Sequence, residues 1–276
     1  MEHISNHQII YFHVGMGKVA SKYLQHEVFP KLKDVYYIPS TKYYQSIDII
    51  KNKNESAYLI SREFDQQMEY EVNKFAQTFP NTKAIILLRR HDSWIASQYR
   101  RFAKNGYVRS FKEFIDIEND AGRFKLQDLN FYRNIEILEK YFTEKPLVLF
   151  YDDLIADTFS FIDKIAKFTN TTYRRAEISL EKKHTSYEEK QIKVMQSVSK
   201  YISFKERTLS TQPVVRFLQR LPIITLRYGI LYTALLIPSA WLGKKSLIPK
   251  EELEKIKIQT EEDWKKCLSY AEKNNH

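Results

Sequence analysis

The chain has 276 residues, 43% of them hydrophobic, which is enough for one sizeable core or two small domains. Its 44 Lys and Arg residues against 34 Asp and Glu leave a formal charge of +10, which favours anionic partners. The basic residues are dispersed and no zinc spacing or RNP-like strand accompanies them, so nucleic acid is not expected as a partner. The single cysteine, Cys267, rules out an intrachain disulfide framework and fits a reducing compartment.

The order of the predicted elements indicates an α/β fold around a parallel sheet. Short apolar runs that alternate with helix-length segments are typical of βαβ units. The predicted strands cover residues 9–13, 35–39, 57–61, 84–89 and 147–151, and the predicted helices cover residues 18–32, 64–78, 93–104, 111–117, 130–141 and 159–169. Ligands of such sheets bind outside the carboxyl ends of the strands, so the residues that follow the strands are expected to converge.

The first predicted strand runs directly into a loop suited to phosphate. Gly15 and Gly17 let the backbone turn tightly and approach a ligand closely. Lys18, Ser21 and Lys22 follow where a helix is expected to begin, and the N–H groups of a first helical turn bind anions. The loop therefore predicts a site for a phosphorylated nucleotide.

This loop departs from the Walker A pattern G-x-x-x-x-G-K-[ST]. Val19 follows Lys18 where a hydroxyl would hold Mg²⁺, and Phe12 stands where the first glycine would be. The strand at 84–88 ends in Arg89 and Arg90 rather than in an Asp that could hold a metal. A nucleoside triphosphatase is disfavoured, no metal ligand is assigned, and a metal-free transfer from a phosphorylated nucleotide is favoured.

Three segments, in chain order, resemble the motifs of one family. Residues 13–24, HVGMGKVASKYL, resemble the 5′-phosphosulfate-binding loop of PAPS-dependent sulfotransferases, usually close to P-K-T-G-T-T-x-L. Residues 88–99, LRRHDSWIASQY, resemble the family's 3′-phosphate motif, and residues 149–154, LFYDDL, are similar to its Y-E-D-L strand end. The resemblance spans residues from about 9 to 170 and implies a P-loop-like sulfotransferase fold, with α/β/α layers and a helical C-terminal extension.

The resemblance implies PAPS (3′-phosphoadenosine 5′-phosphosulfate) as the donor and assigns residues to its two anionic ends. Lys18 would act as the catalytic cation on the leaving phosphate, and Arg89 and Ser97 would hold the 3′-phosphate. The residues assigned to the 5′-phosphosulfate are Gly17, Lys18, Val19, Ala20, Ser21, Lys22 and Tyr23. Val19 and Ala20 stand where the family usually has Thr-Gly, and Lys22 stands where it has Thr. One hydroxyl contact is thereby lost and a second cation is gained, while phosphate binding by backbone N–H groups is retained.

A late polar loop resembles the family segment that closes over the nucleotide. Its basic residues Lys182 and Lys183 and the hydroxyl of Ser186 would contact the donor. An ordinary helix N-cap at Thr185 or Ser186 explains the same residues, and both interpretations can hold together.

Sulfuryl transfer needs a general base for the acceptor hydroxyl, and the sequence leaves several candidates. Glu63 ranks first because it follows a strand and resembles an S-x-E-like segment of some bacterial and glycan sulfotransferases. Stabilisation as a first-turn acid of a helix is nearly as good an explanation. His13 is a second catalytic candidate, although a lone histidine is more often structural, and His91, Asp92 and His184 rank lower.

The chain after about residue 172 is predicted to be helical, as an acceptor or lid region (173–276) of a single domain whose α/β core is 1–172. Its most apolar stretch is 221–242, where Arg227 leaves only 15 uncharged residues, too few for the about 20 that cross a bilayer. A buried core helix, a wall of an apolar acceptor pocket and a surface that dips into a membrane leaflet stay open for it. Residues 250–273 are predicted as one charged amphipathic helix.

The leading hypothesis is a PAPS-dependent sulfotransferase with a hydroxyl acceptor. A glycan ranks first because an acidic polysaccharide suits the positive charge, and a sterol or lipid suits the stretch 221–242. A metal-dependent nucleotide kinase and a non-catalytic nucleotide-binding protein are the alternatives from other classes. No secretory signal is visible, so a cytoplasmic location is expected, with peripheral membrane contact through 221–242 as an option. The sequence leaves the oligomeric state open.

Overall fold

The structure, a computed structural model, describes residues 8–181, 187–204, 210, 212–243 and 245–275. The strands are β1 Ile9–Gly15, β2 Tyr36–Ile38, β3 Ala57–Glu63, β4 Lys83–Leu88 and β5 Leu147–Phe150. The α-helices up to β5 are α1 Ser21–Tyr23, α2 Ser46–Asn52, α3 Met68–Ala76, α4 His91–Lys104, α5 Phe111–Phe114 and α6 Phe131–Tyr141. Those after β5 are α7 Tyr151–Ala156, α8 Thr158–Thr169, α9 Glu189–Ser199, α10 Pro213–Thr233, α11 Lys250–Gln259 and α12 Glu261–Asn274.

Within these residues the five strands form one parallel sheet in the order β2-β3-β1-β4-β5. The predicted α/β class is confirmed, and every predicted strand is present with ends that differ by at most two residues. From β1 the chain first forms β2 at one edge and then returns to place β3 between β2 and β1. It then crosses to the other side of β1 and adds β4 and β5. The switch point beside β1 is where such sheets open a crevice for a ligand.

The core of the sheet shows why helices cover both of its faces. Tyr11 and Phe12 are neighbours in β1, so their side chains point to opposite faces. The Tyr11 ring meets Phe168 of α8 edge-on with centroids 6.1 Å apart, whereas the Phe12 ring lies 4.9 Å from Phe75 of α3. Both faces are therefore closed by helices, as a continuous apolar run in a parallel strand requires.

The sheet ends at β5, and a side chain occupies part of that edge. The Asn275 amide accepts a hydrogen bond from the Val148 N–H at 3.1 Å and donates one to the Val148 carbonyl at 2.5 Å. One amide side chain thus satisfies a donor and an acceptor that a further strand would otherwise use.

The predicted helix at 18–32 begins later and is irregular. Lys18 and Ala20 have φ angles of 70° and 69°, in the left-handed region that an α-helix excludes. Helical turns start at Ser21 and pass through a π-helical segment, Leu24–Val28, into the 3₁₀ turn Phe29–Lys31. The expected single helix at 250–273 is likewise two, because the backbone leaves helical geometry at Thr260, where ψ is 5°.

The chain divides into two compact units that do not follow a linear cut at residue 172. The first holds the described residues of Met1–Trp94, Gln127–Glu181 and Lys257–His276, including the whole sheet. The second holds those of Ile95–Leu126 and Lys182–Ile256. The role of 173–276 as an acceptor or lid region stays a prediction.

In the second unit, one face of α10 is buried and the rest of it is not. Leu231 packs with Met195 and Phe204, joined by the partly buried Ile223 and Ile230. A buried core helix is therefore the wrong interpretation for most of 221–242, since side chains such as Leu221 and Tyr232 are exposed. None of the helices in the described ranges has the length and hydropathy that crossing a bilayer requires.

Candidate active site

The loop between β1 and α1 is tight and strained. A Cβ atom added to Gly15 would lie 2.8 Å from Ser21 Oγ and 2.9 Å from His13 Cε1, so no larger residue fits there without displacement. Lys18 and Ala20 hold left-handed conformations that cost a non-glycine residue on the order of 1–2 kcal/mol each. Backbone strain of this kind collects where a loop must present its groups in one fixed arrangement.

Side chains from three directions fix the loop. The buried Trp94 indole donates from Nε1 to the Gly17 carbonyl at 2.8 Å. The Gly17 N–H donates to Asp65 Oδ1 at 3.1 Å, and Ser21 Oγ donates to the Met16 carbonyl at 3.1 Å. Because these bonds hold both the start and the end of the turn, the loop needs little ordering when a ligand binds.

The predicted loop residues differ in what they can offer a ligand. Lys18 and Lys22 are exposed, while Val19 is fully buried and can offer only its backbone. Ser21 and Lys22 are the first residues of a helical turn, whose N–H groups have no acceptor within the helix. Two ammonium groups and first-turn N–H groups fit a phosphate-bearing ligand.

Arg89 follows β4, and its side chain contacts residues that follow β1 and β5. Its guanidinium donates from Nη1 to the Lys18 carbonyl at 3.3 Å and from Nε to Ser93 Oγ at 2.9 Å. The same group stacks over the Tyr151 ring, 4.4 Å from its centroid, just after β5. The residues after β1, β4 and β5 therefore converge at the carboxyl edge of the sheet, as the sequence predicts.

The segment after Arg89 is held by the start of α12. Arg90 is paired with Glu261 and Asp92, so its charge is already engaged. The fully buried His91 stacks on Phe131 with centroids 4.0 Å apart and places Nε2 2.8 Å from Asp263 Oδ2. We assign this cluster a positioning role, because it fixes the strand end that carries Arg89.

Glu63 ends β3 directly beside the loop. It is paired in register with Gly15, and the Phe64 N–H donates to the Gly15 carbonyl at 2.7 Å. The Glu63 side chain is half-buried, which leaves it partly accessible at the same sheet edge. This position is compatible with the predicted role as general base, which stays a prediction.

His13 is fully enclosed in the sheet. Its Nδ1 lies 2.8 Å from Ser61 Oγ, which also accepts a hydrogen bond from Gln25 Nε2 at 3.1 Å. Burial lowers the pKa of His13 from 6.5 to about 3, so the ring is neutral at ordinary pH. His13 therefore ranks well below Glu63 as a base, and its contacts suit a structural histidine.

The remaining predicted residues are Ser97, Lys182, Lys183 and Ser186. Ser97 lies one turn after Ser93 in the part of α4 that belongs to the second unit, and its role stays a prediction. Lys182, Lys183 and Ser186 lie outside the described residues.

Sequence reasoning missed four residues that hold the site, namely Asp65, Ser93, Trp94 and Asp263. Ser93 and Trp94 could have been found, because both lie in the quoted segment LRRHDSWIASQY at the start of a helix. Asp65 gave a weaker signal as an acid shortly after a strand. Asp263 gave none, since it lies more than 170 positions after the histidine it contacts.

Comparison with known proteins gives a likeness in structure only. No protein-family model matches the sequence, and no curated protein matches it either. Among solved structures, the chain is similar to the crystal structure of a sulfotransferase from Alicyclobacillus acidocaldarius. The similarity has a TM-score of 0.47 at 11% sequence identity and covers 84% of this chain and 97% of that chain.

Proposed function

We propose that this chain transfers the sulfuryl group of PAPS to a hydroxyl acceptor, with a glycan ranked first. One observation carries the proposal: Arg89 Nη1 lies 3.3 Å from the Lys18 carbonyl. The two residues that the sequence assigns to opposite anionic ends of one donor are 71 positions apart in the chain and are in contact at one sheet edge, through the Lys18 backbone. A large separation between them would have removed the basis for the assignment.

The charges at this edge support a donor with two anionic ends. Lys18 and Lys22 supply exposed ammonium groups on the loop, and Arg89 supplies a planar guanidinium beside it. Arginine suits a phosphate because its N–H groups can bond two oxygens at once. Asp65, which follows β3, is an acid beside the loop, and its Oδ1 accepts a hydrogen bond from the Gly17 N–H.

Each residue then has a defined task. PAPS would supply the activated sulfuryl group and a phosphate leaving group. Lys18 places a cation where negative charge grows on that leaving group, a form of catalysis that depends on a pre-positioned charge. Glu63 takes the proton of the acceptor hydroxyl, and Ser93 orients Arg89 through its 2.9 Å hydrogen bond.

The acceptor class follows from charge rather than from any single residue. The formal charge of +10 draws acidic polymers toward the protein, and a sulfated or carboxylated glycan is such a polymer. An apolar hydroxyl compound is the alternative, and a panel of acceptors separates the two. Incubation with labelled PAPS and a set of glycans, sterols, lipids and phenols should give a labelled glycan.

Donor binding is tested by calorimetry with 3′-phosphoadenosine 5′-phosphate in the absence of metal. We expect Lys18→Ala and Arg89→Ala each to weaken binding at least about tenfold, since each removes a charge-assisted contact. Lys33→Ala is the matched control, because Lys33 is also exposed and its backbone N–H bonds to Thr172. Tighter binding of ATP with Mg²⁺ would instead favour a kinase.

Turnover separates an enzyme from a nucleotide-binding protein. Glu63→Gln should lower kcat by about a hundredfold or more with donor affinity unchanged, because the amide cannot accept the proton. Glu55→Gln is the control, because Glu55 is an exposed glutamate just before the start of β3. Donor binding without transfer to any acceptor would contradict the enzymatic part of the proposal.

A further inference from the structure

The second unit carries an exposed apolar surface on α10 that the proposed reaction does not use. We define the α10 stripe as the outward side chains Phe217, Leu218, Leu221, Tyr228 and Tyr232 of α10 together with Leu236 in the 3₁₀ turn Ala234–Leu236 that follows it, which are 41% to 84% exposed. Leu218, Leu221, Tyr228 and Tyr232, with the exposed Thr225 among them, follow one another by three or four residues, so they form one face of the helix. Monomeric soluble proteins seldom expose such a continuous apolar face to water.

The opposite face of the same helix is anchored in the protein. Ile223, Ile230 and Leu231 pack with Met195 and Phe204, and Arg227 donates from Nη1 to Asn105 Oδ1 at 3.0 Å. The helix is therefore held in place with its apolar stripe turned outward. This arrangement differs from a core helix, in which the apolar face packs inward.

The segment of the chain that carries the stripe has charges of one sign. Residues 207–250 contain seven Lys and Arg residues and no Asp or Glu. Anionic lipid headgroups attract such a segment, and each basic residue near the surface strengthens binding. A symmetric pair of chains would instead bring two copies of this basic segment together, which opposes self-association through the stripe.

The aromatic side chains at the carboxyl end of the stripe suit the same surface. The Tyr228 and Tyr232 rings are stacked with centroids 6.4 Å apart, and Trp241 follows in the 3₁₀ turn Ser239–Leu242 with 79% of its surface exposed. Tyrosine and tryptophan are enriched where headgroups meet acyl chains, since one end of each side chain is apolar and the other polar.

We infer that the α10 stripe docks on an anionic lipid surface, with the helix lying in the plane of the interface. Interfacial helices combine an apolar face buried at the headgroup boundary with nearby basic residues. The inference is independent of sulfuryl transfer, because none of its residues belongs to the candidate active site.

Sedimentation with vesicles tests the inference on the full chain. Wild type should bind phosphatidylcholine vesicles that contain phosphatidylglycerol, and bind pure phosphatidylcholine vesicles much less. The double variant Leu218→Gln with Leu221→Gln should bind at least about tenfold more weakly, because two apolar contacts are lost. Leu180→Gln with Ile258→Gln is the matched control, since these leucine and isoleucine side chains are also exposed but lie in the first unit.

Fluorescence gives a second readout that needs no loss of binding. The chain has three tryptophans, and Trp94 and Trp264 are 1% and 6% exposed. A blue shift of emission on adding the anionic vesicles therefore reports on Trp241, and Trp241→Tyr should abolish it. Charge reversal at the exposed Lys245 and Lys250 should weaken binding to anionic vesicles and leave the melting temperature unchanged.

Three results would overturn the inference. Wild type could fail to sediment with either vesicle and show no fluorescence shift. The control pair could lose as much binding as the stripe variant. Light scattering could show a lipid-free dimer that the stripe variant converts to monomer, which would make a second copy of the chain the occupant. Binding of 3′-phosphoadenosine 5′-phosphate by the stripe variant should match wild type, so this inference and the proposed reaction fail separately.

Discussion

Replacing Asp263 tests whether the start of α12 holds the strand end that carries Arg89. The Asp263 side chain is 18% exposed and serves three partners. Its oxygens lie 2.8 Å from His91 Nε2 and accept from the N–H groups of Phe131 and Tyr132 at 2.9 Å and 3.2 Å. The last two donors belong to the first turn of α6, where the N–H groups have no acceptor within the helix.

The expected loss can be worked from these contacts. Removing an acceptor at a helix N-terminus costs about 0.5–2 kcal/mol. Removing a hydrogen bond to a charged group, here from a buried histidine, costs about 1.5–3 kcal/mol. Asp263→Ala should therefore lower the free energy of unfolding by about 2–5 kcal/mol. Asp263→Asn should lose less, because it keeps one oxygen as an acceptor.

Urea unfolding at neutral pH followed by circular dichroism measures this loss. Glu262→Ala is the control, because the neighbouring Glu262 is 80% exposed and its ion pair with Lys265 lies at the surface. Exposed pairs contribute on the order of 0–1 kcal/mol. The reasoning fails if Asp263→Ala lies within about 0.5 kcal/mol of the Glu262→Ala control.

Three further predictions concern stability and reactivity. The folded state keeps His13 neutral down to a pKa of about 3, whereas the unfolded chain binds its proton below 6.5. The contribution of His13 to the free energy of unfolding is therefore complete above about pH 6.5. It falls by about 1.4 kcal/mol per pH unit as the pH is lowered from there to about 3. His13→Gln should flatten the acid limb of unfolding midpoints against pH, and an unchanged slope would contradict this. Ala20→Gly should raise the free energy of unfolding by about 0.5–1 kcal/mol, because glycine relieves about 1–2 kcal/mol of left-handed steric strain and loses only about 0.5–1 kcal/mol of that gain to its greater backbone entropy when unfolded. Thermal unfolding measures this change, and a lower stability of Ala20→Gly than of wild type would show that Ala20 is not strained. Burial raises the pKa of the Cys267 thiol, so Ellman's reagent should react with it only in denaturant.

The sheet was predictable because each strand depends on local signals. The strands are short, mostly apolar runs, and a parallel sheet buries such runs on both faces. The convergence of Lys18 and Arg89 follows from the same pattern, since both come directly after strands of that sheet. Local sequence therefore sufficed for the fold class and for the place of the candidate site.

Other features depend on contacts that the sequence pattern does not reveal. The late start of α1 results from left-handed residues at Lys18 and Ala20, positions where glycine would have been the signal. The outward stripe of α10 has the same composition as a core helix, and only its packing against Met195 and Phe204 shows which face is buried. The same applies to Asp263, whose role depends on the fold bringing α12 to α4.

The Asn275 amide at Val148 also bears on how this protein behaves at high concentration. An uncovered edge strand pairs readily with another chain, which is a common route to ordered aggregates. While the amide occupies both backbone groups of Val148, an incoming strand would have to displace it before pairing in register along β5. Variants that shorten or remove this side chain are therefore poor choices for crystallisation or storage, even though residue 275 lies far from the proposed chemistry.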